Sequence, residues 1–122
     1  MTLARCTYRL TASLPKHELF GLTSQIRRAA VSIPANVAEG HNRRSRRAFH
    51  YHVTIALGSQ AELGTLLELV EDLGYRNASA MKDIKEEVVR VGMMLHALAR
   101  ALERTSEHSE RRPPVIDRRT SV

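Results

Sequence analysis

Residues Ser45–Gly74 read SRRAFHYHVTIALGSQAELGTLLELVEDLG, and the spacing within this stretch decides the fold. Phe49, Val53, Ala56, Leu57, Gln60, Leu63, Leu67 and Val70 recur at three- and four-residue steps, the signature of one helical stripe. Ser45 is a suitable N-cap, because its hydroxyl can accept from an unpaired amide of the first turn. No strong breaker follows before Gly74, so the stretch predicts one helix of roughly 40 Å. A second series, Ile55, Leu66, Leu69 and Leu73, lies at an angle to the first. A helix that is apolar on more than one face must be covered on two sides. Only three other helices are available, so the second cover is expected from another subunit. Gly58 and Gly64 inside this helix cost about 1 kcal/mol each relative to Ala. Together with Ser59 they suggest a tight contact within the bundle or between subunits.

Upstream, Leu22, Ile26, Ala29, Ala30, Ile33 and Val37 mark a second helix. Thr23 is its expected cap, and Gly40 is expected to close it just after Glu39 in a left-handed conformation. Pro34 lies within, and it should bend the helix without ending it, because the stripe continues to Val37. Before it, Thr2 to about Ser13 predicts a short helix with Leu3, Cys6 and Leu10 on one side, ended by Leu14-Pro15. Downstream, Asn77 or Ser79 can start a last helix with the stripe Ile84, Val88, Val91, Leu95, Leu98 and Leu102. Asp83, Glu86 and Glu87 near its positive end and Arg100 and Arg104 near its negative end suit the macrodipole. Short connections favour antiparallel neighbours, so the expected fold is an all-α, antiparallel up-and-down four-helix bundle with a shortened first helix. The bundle domain is expected over 1–106, followed by a disordered tail over 107–122.

Composition agrees. Aromatic residues make up 4% of the 122 residues and Trp is absent, so the core must be built from Leu, Val, Ile, Ala and Met, which suits helix interfaces better than sheets. Cys6 is the single cysteine, which excludes an intramolecular disulfide and a cysteine-based metal cluster, and points to a reducing compartment. No uninterrupted apolar run approaches the ~20 residues of a membrane span and no signal-like segment opens the chain. A cytoplasmic location with no membrane contact is therefore expected, and Asn77-Ala-Ser79 resembles a glycosylation acceptor in form alone.

Catalytic patterns are sparse. The chain holds no nucleophile elbow, phosphate-cradling loop, dinucleotide fingerprint or His-Glu-x-x-His. His50 and His52 are two apart, about 200° round a helix, so they cannot share one ion as an i, i+4 pair could. Glu39 and Glu62 read as paired structural carboxylates. No catalytic residue, metal site or cofactor is expected.

Charge is the informative signal. The formal charge is +6, yet residues 1–47 carry nine Lys/Arg against Glu18 and Glu39, a balance of +7, while the rest carries ten against eleven. An excess confined to one stretch points to a polyanionic partner, and sixteen of the nineteen cations are Arg, which forks onto phosphate better than Lys. Arg43-Arg44-Ser45-Arg46-Arg47 places Arg46 and Arg47 in the first turn of the third helix, where cations are disfavoured by roughly 0.3–1 kcal/mol each. An anion at that helix start would relieve the cost, since free amides and arginines would both contact a phosphate. Arg27 and Arg28 enlarge the basic half. With no aromatic residue interleaved, backbone and shape recognition is expected over base stacking.

The stretch Gly21–Gly40, GLTSQIRRAAVSIPANVAEG, with Arg43-Arg44-Ser45, Ile55–Ser59 and Leu73-Gly74-Tyr75, resembles a family of small bacterial four-helix bundle proteins, many encoded by intervening sequences inside 23S ribosomal RNA genes. The resemblance covers roughly residues 14–104. It implies an antiparallel bundle that assembles as a ring-shaped homopentamer. It also implies kinship with the accessory variability proteins of diversity-generating retroelements, which bind nucleic acid and a reverse transcriptase. Two departures stand out. Members open with a longer first helix bearing a Trp-Gln-Lys-Ala-like segment, whereas about twelve residues precede Leu14-Pro15 here. A short first helix is expected to leave part of the bundle uncovered. Ala48 replaces the Glu that in many members completes a capping box, which removes an acidic group from the arginine run.

These readings converge on a non-enzymatic, oligomeric nucleic-acid-binding protein, with RNA favoured over DNA by the resemblance. Arg27, Arg28, Arg43, Arg44, Arg46 and Arg47 are the expected contacts, and Ile55, Leu66, Leu69 and Leu73 the expected oligomer interface. The alternative is an assembly or adaptor protein that binds a partner such as a reverse transcriptase.

Overall fold

The computed structural model describes residues 2–110, and side chains through 104. Four helices follow one another: α1 (Thr2–Ala12), α2 (Leu22–Asn42), α3 (Arg46–Asp72) and α4 (Ala78–Glu110), with a single 3-10 turn at Lys16–Glu18 between the first two. Among the described residues there is no strand. α3 packs along both α2 and α4, and α1 rests on α2 and α4, which gives the expected antiparallel four-helix bundle. α4 continues four residues past the expected boundary at 106; the remainder of the expected tail, 111–122, lies outside the described residues.

Both long stripes meet in one core. Val53, Ala56, Leu63, Leu67 and Val70 of α3 are buried against Ile26, Ala29, Ala30 and Ile33 of α2 and Met81, Ile84, Val88, Leu95 and Leu102 of α4. α2 and α4 thus cover much of α3, while Leu69 and Leu73 of its second series stay exposed. Leu66, expected on a subunit interface, is 9% exposed and belongs to this core. An 18-residue window of α3 has a mean hydropathy of 1.2 and meets the length and composition of a membrane span, a property that counting uninterrupted apolar runs overlooks. A third of that window is buried, with its core side chains packed against α2 and α4.

Helix ends are fixed by side chains. Ser45 Oγ accepts from Ala48 N at 3.2 Å, as expected, and Asn77 Oδ1 accepts from Ala80 N at 2.8 Å to start α4. α2 departs from expectation at both ends. Thr23 lies inside the helix at 2% exposure, and the amide of Leu22 is capped by Glu18 Oε2 at 3.1 Å, a group presented by the 3-10 turn. Gly40 is not a left-handed cap, because α2 continues to Asn42; among the glycines only Gly74 has positive φ, at +75°. Gly40 is instead the point where α2 closes on α3. A Cβ there would stand 2.7 Å from His52 Cβ and 3.1 Å from Phe49 Cδ1.

The expected close approach at Gly58 and Gly64 is also relocated. Gly58 faces open space and Gly64 makes only ordinary contact with Val88. At Gly92 of α4 the missing Cβ makes room for the end of the Gln60 side chain, whose amide nitrogen would lie 2.5 Å from such a Cβ and donates to Val88 O at 3.0 Å. Polar pairs complete the α2–α3 seam, with Ser59 Oγ donating to Ser32 Oγ at 2.8 Å and His52 Nδ1 lying 3.2 Å from Asn36 Oδ1.

α1 presents a rotated face. Leu3, Thr7 and Thr11 are its buried residues, with Cys6 and Leu10 half-buried beside them. Threonine can be buried there because each hydroxyl donates back one turn, Thr7 to Leu3 O at 2.7 Å and Thr11 to Thr7 O at 2.9 Å. The far end of α1 is tied to the α3–α4 turn. Tyr75 Oη lies 3.3 Å from His17 Nε2 and donates to Glu18 Oε1 at 3.4 Å, and Arg76 donates to Ser13 Oγ. Desolvation and the Glu18 carboxylate hold the Tyr75 phenol above its ordinary pKa. On the other seam Lys85 bridges Glu68 at 2.9 Å and Glu71 at 3.0 Å, and hydrogen bonds to these two carboxylates raise its pKa.

Eleven residues of α1 span only about 16 Å, less than half of α3. Beyond Thr2, the space between α2 and α4 stays open as a groove of about 790 Å³ lined by Ile33, Val37, His41, Val91, Met94 and Leu98, among others.

Candidate nucleic-acid interface

The α2–α3 junction is built by two backbone requirements. α2 ends at Asn42 with Arg43 as its C-cap, in extended conformation, its amide reaching Glu39 O and Gly40 O at 3.2 Å. Ser45 must also be extended, at φ −135° and ψ 129°, to cap α3. The three-residue link Arg43–Ser45 between the helices therefore turns outward, and residues 41–47 are all exposed. Arg46 and Arg47 occupy the first turn of α3, which has no acidic residue.

The four arginines of the junction are not equivalent. Arg43 is held by Glu39, with Nη2 at 2.8 Å and Nε at 2.9 Å from Oε1, so part of its charge is already neutralised. Arg44, Arg46 and Arg47 have no carboxylate partner among the described residues. The nearby acidic group is Glu103 of α4, and it lies 3.3 Å from His50 Nε2, one turn into α3. Tyr51 is 63% exposed one helical turn beyond Arg47, an aromatic neighbour that the spacing of the arginine run did not reveal.

Arg27 and Arg28 stand apart from the junction. Arg43 comes fifteen positions after Arg28, roughly 22 Å by helix rise. Arg27 is fixed against α1, its Nε donating to Thr11 Oγ1 at 2.8 Å and its guanidinium lying 4.8 Å from the centre of the Tyr8 ring. Arg28 is exposed beside Phe20, which is 94% exposed. The six expected contacts thus fall into two groups, and each group has aromatic company. Sequence spacing hid this, since Tyr8, Phe20 and Arg27 belong to three different elements.

Of the expected interface residues, Ile55 is half-buried, while Leu69 and Leu73 are 42% and 52% exposed. Leu66 is removed from the surface, as described above. Among the described residues no group of three His, Cys, Asp or Glu side chains converges as metal ligands. His50 and His52 point to different partners, Glu103 and Asn36.

The family described as 23S rRNA-intervening sequence protein matches residues 1–97, most of the chain. The chain belongs to this family. No curated protein matches it in sequence. Among solved structures it is similar to a protein of unknown function from the S23 ribosomal protein family of Bacteroides thetaiotaomicron VPI-5482, with a TM-score of 0.75 and 25% identity over 81% of this chain and 89% of that one. The 23S rRNA-intervening sequence match ends at residue 97, so it takes in both arginine groups and all but the last turns of α4.

Proposed function

We propose that this chain is a non-enzymatic, oligomeric nucleic-acid-binding bundle that takes RNA in preference to DNA at its α2–α3 junction. The observation that carries the reading is the exposure of Arg44, Arg46 and Arg47 at the amide-rich start of α3 with no carboxylate partner among the described residues. Charge left uncompensated at a positive helix end is an unfavourable arrangement for an isolated surface, and a phosphate relieves it through both the arginines and the free amides. Arg43 orients the junction while remaining tied to Glu39. The family's link to 23S rRNA genes supports RNA as the nucleic acid. Filter binding of a structured RNA at several salt concentrations tests it: Arg44/Arg46/Arg47→Ala should weaken binding and flatten its salt dependence. Unchanged affinity would reject it.

Self-association in a ring, five-membered as the family resemblance implies, would repeat the junction on each subunit. Ile55, Leu69 and Leu73 remain as the surface for it. The reading places the protein in the cytoplasm, away from membranes, with no cofactor. A second reading, an adaptor for a protein partner such as a retroelement reverse transcriptase, is favoured by the open groove between α2 and α4, whose apolar lining of Ile33, Val37, Val91, Met94 and Leu98 suits an amphipathic helix. Loss of a reverse-transcriptase interaction on Met94→Glu, with RNA binding intact, would favour that reading.

A further inference from the structure

Phe20 is the most exposed large apolar side chain among the described residues, at 94%, and it does not stand alone. Tyr8, Leu19 and Val31 are each close to half exposed around it. With Thr23, Ser24, Arg27, Arg28 and Ser32 they line a shallow cavity of about 770 Å³ on the outer side of α2, a size usual for a small-ligand cleft. We infer that this cavity is a stacking site for an unpaired base, continuous with the phosphate contacts at the α2–α3 junction. The inference rests on the nucleic-acid reading and adds to it a single-stranded segment and the place that receives it.

Three observations favour a nucleic-acid base over an apolar protein surface. First, two aromatic rings are accompanied by two arginines, the combination that holds a base by its face and a phosphate by its charge. Second, the cavity lining contains no carboxylate. Glu18, the only acidic residue between Leu14 and Val31, is turned inward onto the Leu22 amide and the Tyr75 hydroxyl. Third, the site is preorganised. Arg27 is held by Thr11 Oγ1 and lies over Tyr8, so ring and guanidinium are already placed, and Ser24 supplies a hydroxyl at the wall. The route to the junction is open as well. Arg28 and Arg43 lie within about 60° of each other around α2, and the exposed positions on that face between them are Val31, Ala35, Ala38, Glu39 and Asn42. Glu39, the one charge on that path, is occupied by Arg43. The ~22 Å between the two arginine groups corresponds to about six stacked nucleotides at ~3.4 Å each.

The test uses the full chain and an unstructured RNA of about a dozen nucleotides carrying one 2-aminopurine, whose fluorescence falls when it stacks on an aromatic ring. Wild type should quench it on binding. Phe20→Ala, at a position too exposed to affect folding, should lose most of the quench and weaken single-strand binding about tenfold to hundredfold. Its salt dependence and its affinity for a duplex should stay as in wild type, because no charge has changed, and Phe20→Trp should restore the quench. If wild type binds RNA through the junction but Phe20→Ala leaves affinity and fluorescence unchanged, the stacking site is wrong and the junction reading stands. If wild type binds no RNA, both fail. If Phe20→Ala alters the mass by light scattering and not RNA binding, the patch is a contact between copies, which also overturns the inference.

Discussion

Gly40 of α2 and His52 of α3 face each other so closely that a methyl group on Gly40 would lie 2.7 Å from His52 Cβ. The backbone of α2 at this position touches α3 directly, one turn before the arginine junction begins. Phe49 closes the same contact and stacks edge-on against His41, with ring centroids 5.8 Å apart. The crossing therefore sets where α2 ends, and with it where Arg43–Arg47 are displayed.

Gly40→Ala should destabilise the protein despite the better helix propensity of Ala. The propensity gain is about 1 kcal/mol, whereas forcing two packed helices apart costs roughly 1–3 kcal/mol. Thermal unfolding should show a lowered Tm, and the loss should exceed that of any exposed Gly→Ala change. An unchanged or raised Tm would mean the two helices can separate freely here.

Gly58→Ala should do the reverse. Nothing lies within 4 Å of the added methyl, so the helix gains about 0.5–1 kcal/mol of propensity without a clash. Chemical denaturation should give a higher midpoint with an unchanged slope. If mass by light scattering fell at the same time, Gly58 would instead lie in a contact between copies.

Leu69→Lys probes self-association. Leu69 is 42% exposed on α3, so the substitution should leave the fold intact and lower the mass seen in light scattering. Leu66→Lys should unfold the protein, since Leu66 is in the core. Equal behaviour of the two variants would contradict their separation into surface and core.

Stability should fall in alkali through Lys85 and Tyr75. Both groups have pKa values raised above the ordinary 10.5 and 10.0, Lys85 by its bonds to Glu68 and Glu71, Tyr75 by desolvation and Glu18. A raised folded-state pKa means that the folded protein holds the proton more tightly than the unfolded chain. The contribution is therefore complete below the ordinary values and is lost as pH rises through the higher folded ones. Urea denaturation from pH 8 to 11 should show this decline, and it should be shallower in Lys85→Met/Tyr75→Phe.

Much of this bundle was legible from periodicity because its two longest helices carry stripes that meet one another. Phe49 to Val70 and Ile84 to Leu102 repeat at helical spacing, and Ser45 and Asn77 are side chains that cap by their own chemistry. What was not legible depended on contacts between elements. Gly40 looked like a terminator because glycine after a stripe usually is one, but here its missing Cβ serves the crossing with α3. Gly58 looked like a crossing and faces solvent. Thr7 and Thr11 broke the apolar pattern of α1, although each satisfies its hydroxyl within its own helix and can be buried. The arginine junction was visible as a run. The aromatic company of Arg27 and Arg28 was not, because Tyr8, Phe20 and Arg27 are joined by packing of α1 against α2 and by the turn before it.

The central claim is that the uncompensated arginines at the start of α3 hold phosphate. Its most direct test is the slope of log affinity for a structured RNA against log salt, in wild type and in Arg44/Arg46/Arg47→Ala. Each phosphate contact contributes about 0.7–0.9 to that slope, so removing three should reduce its magnitude by about 2–3 and weaken binding at low salt. The same slope and the same affinity in both proteins would contradict the account.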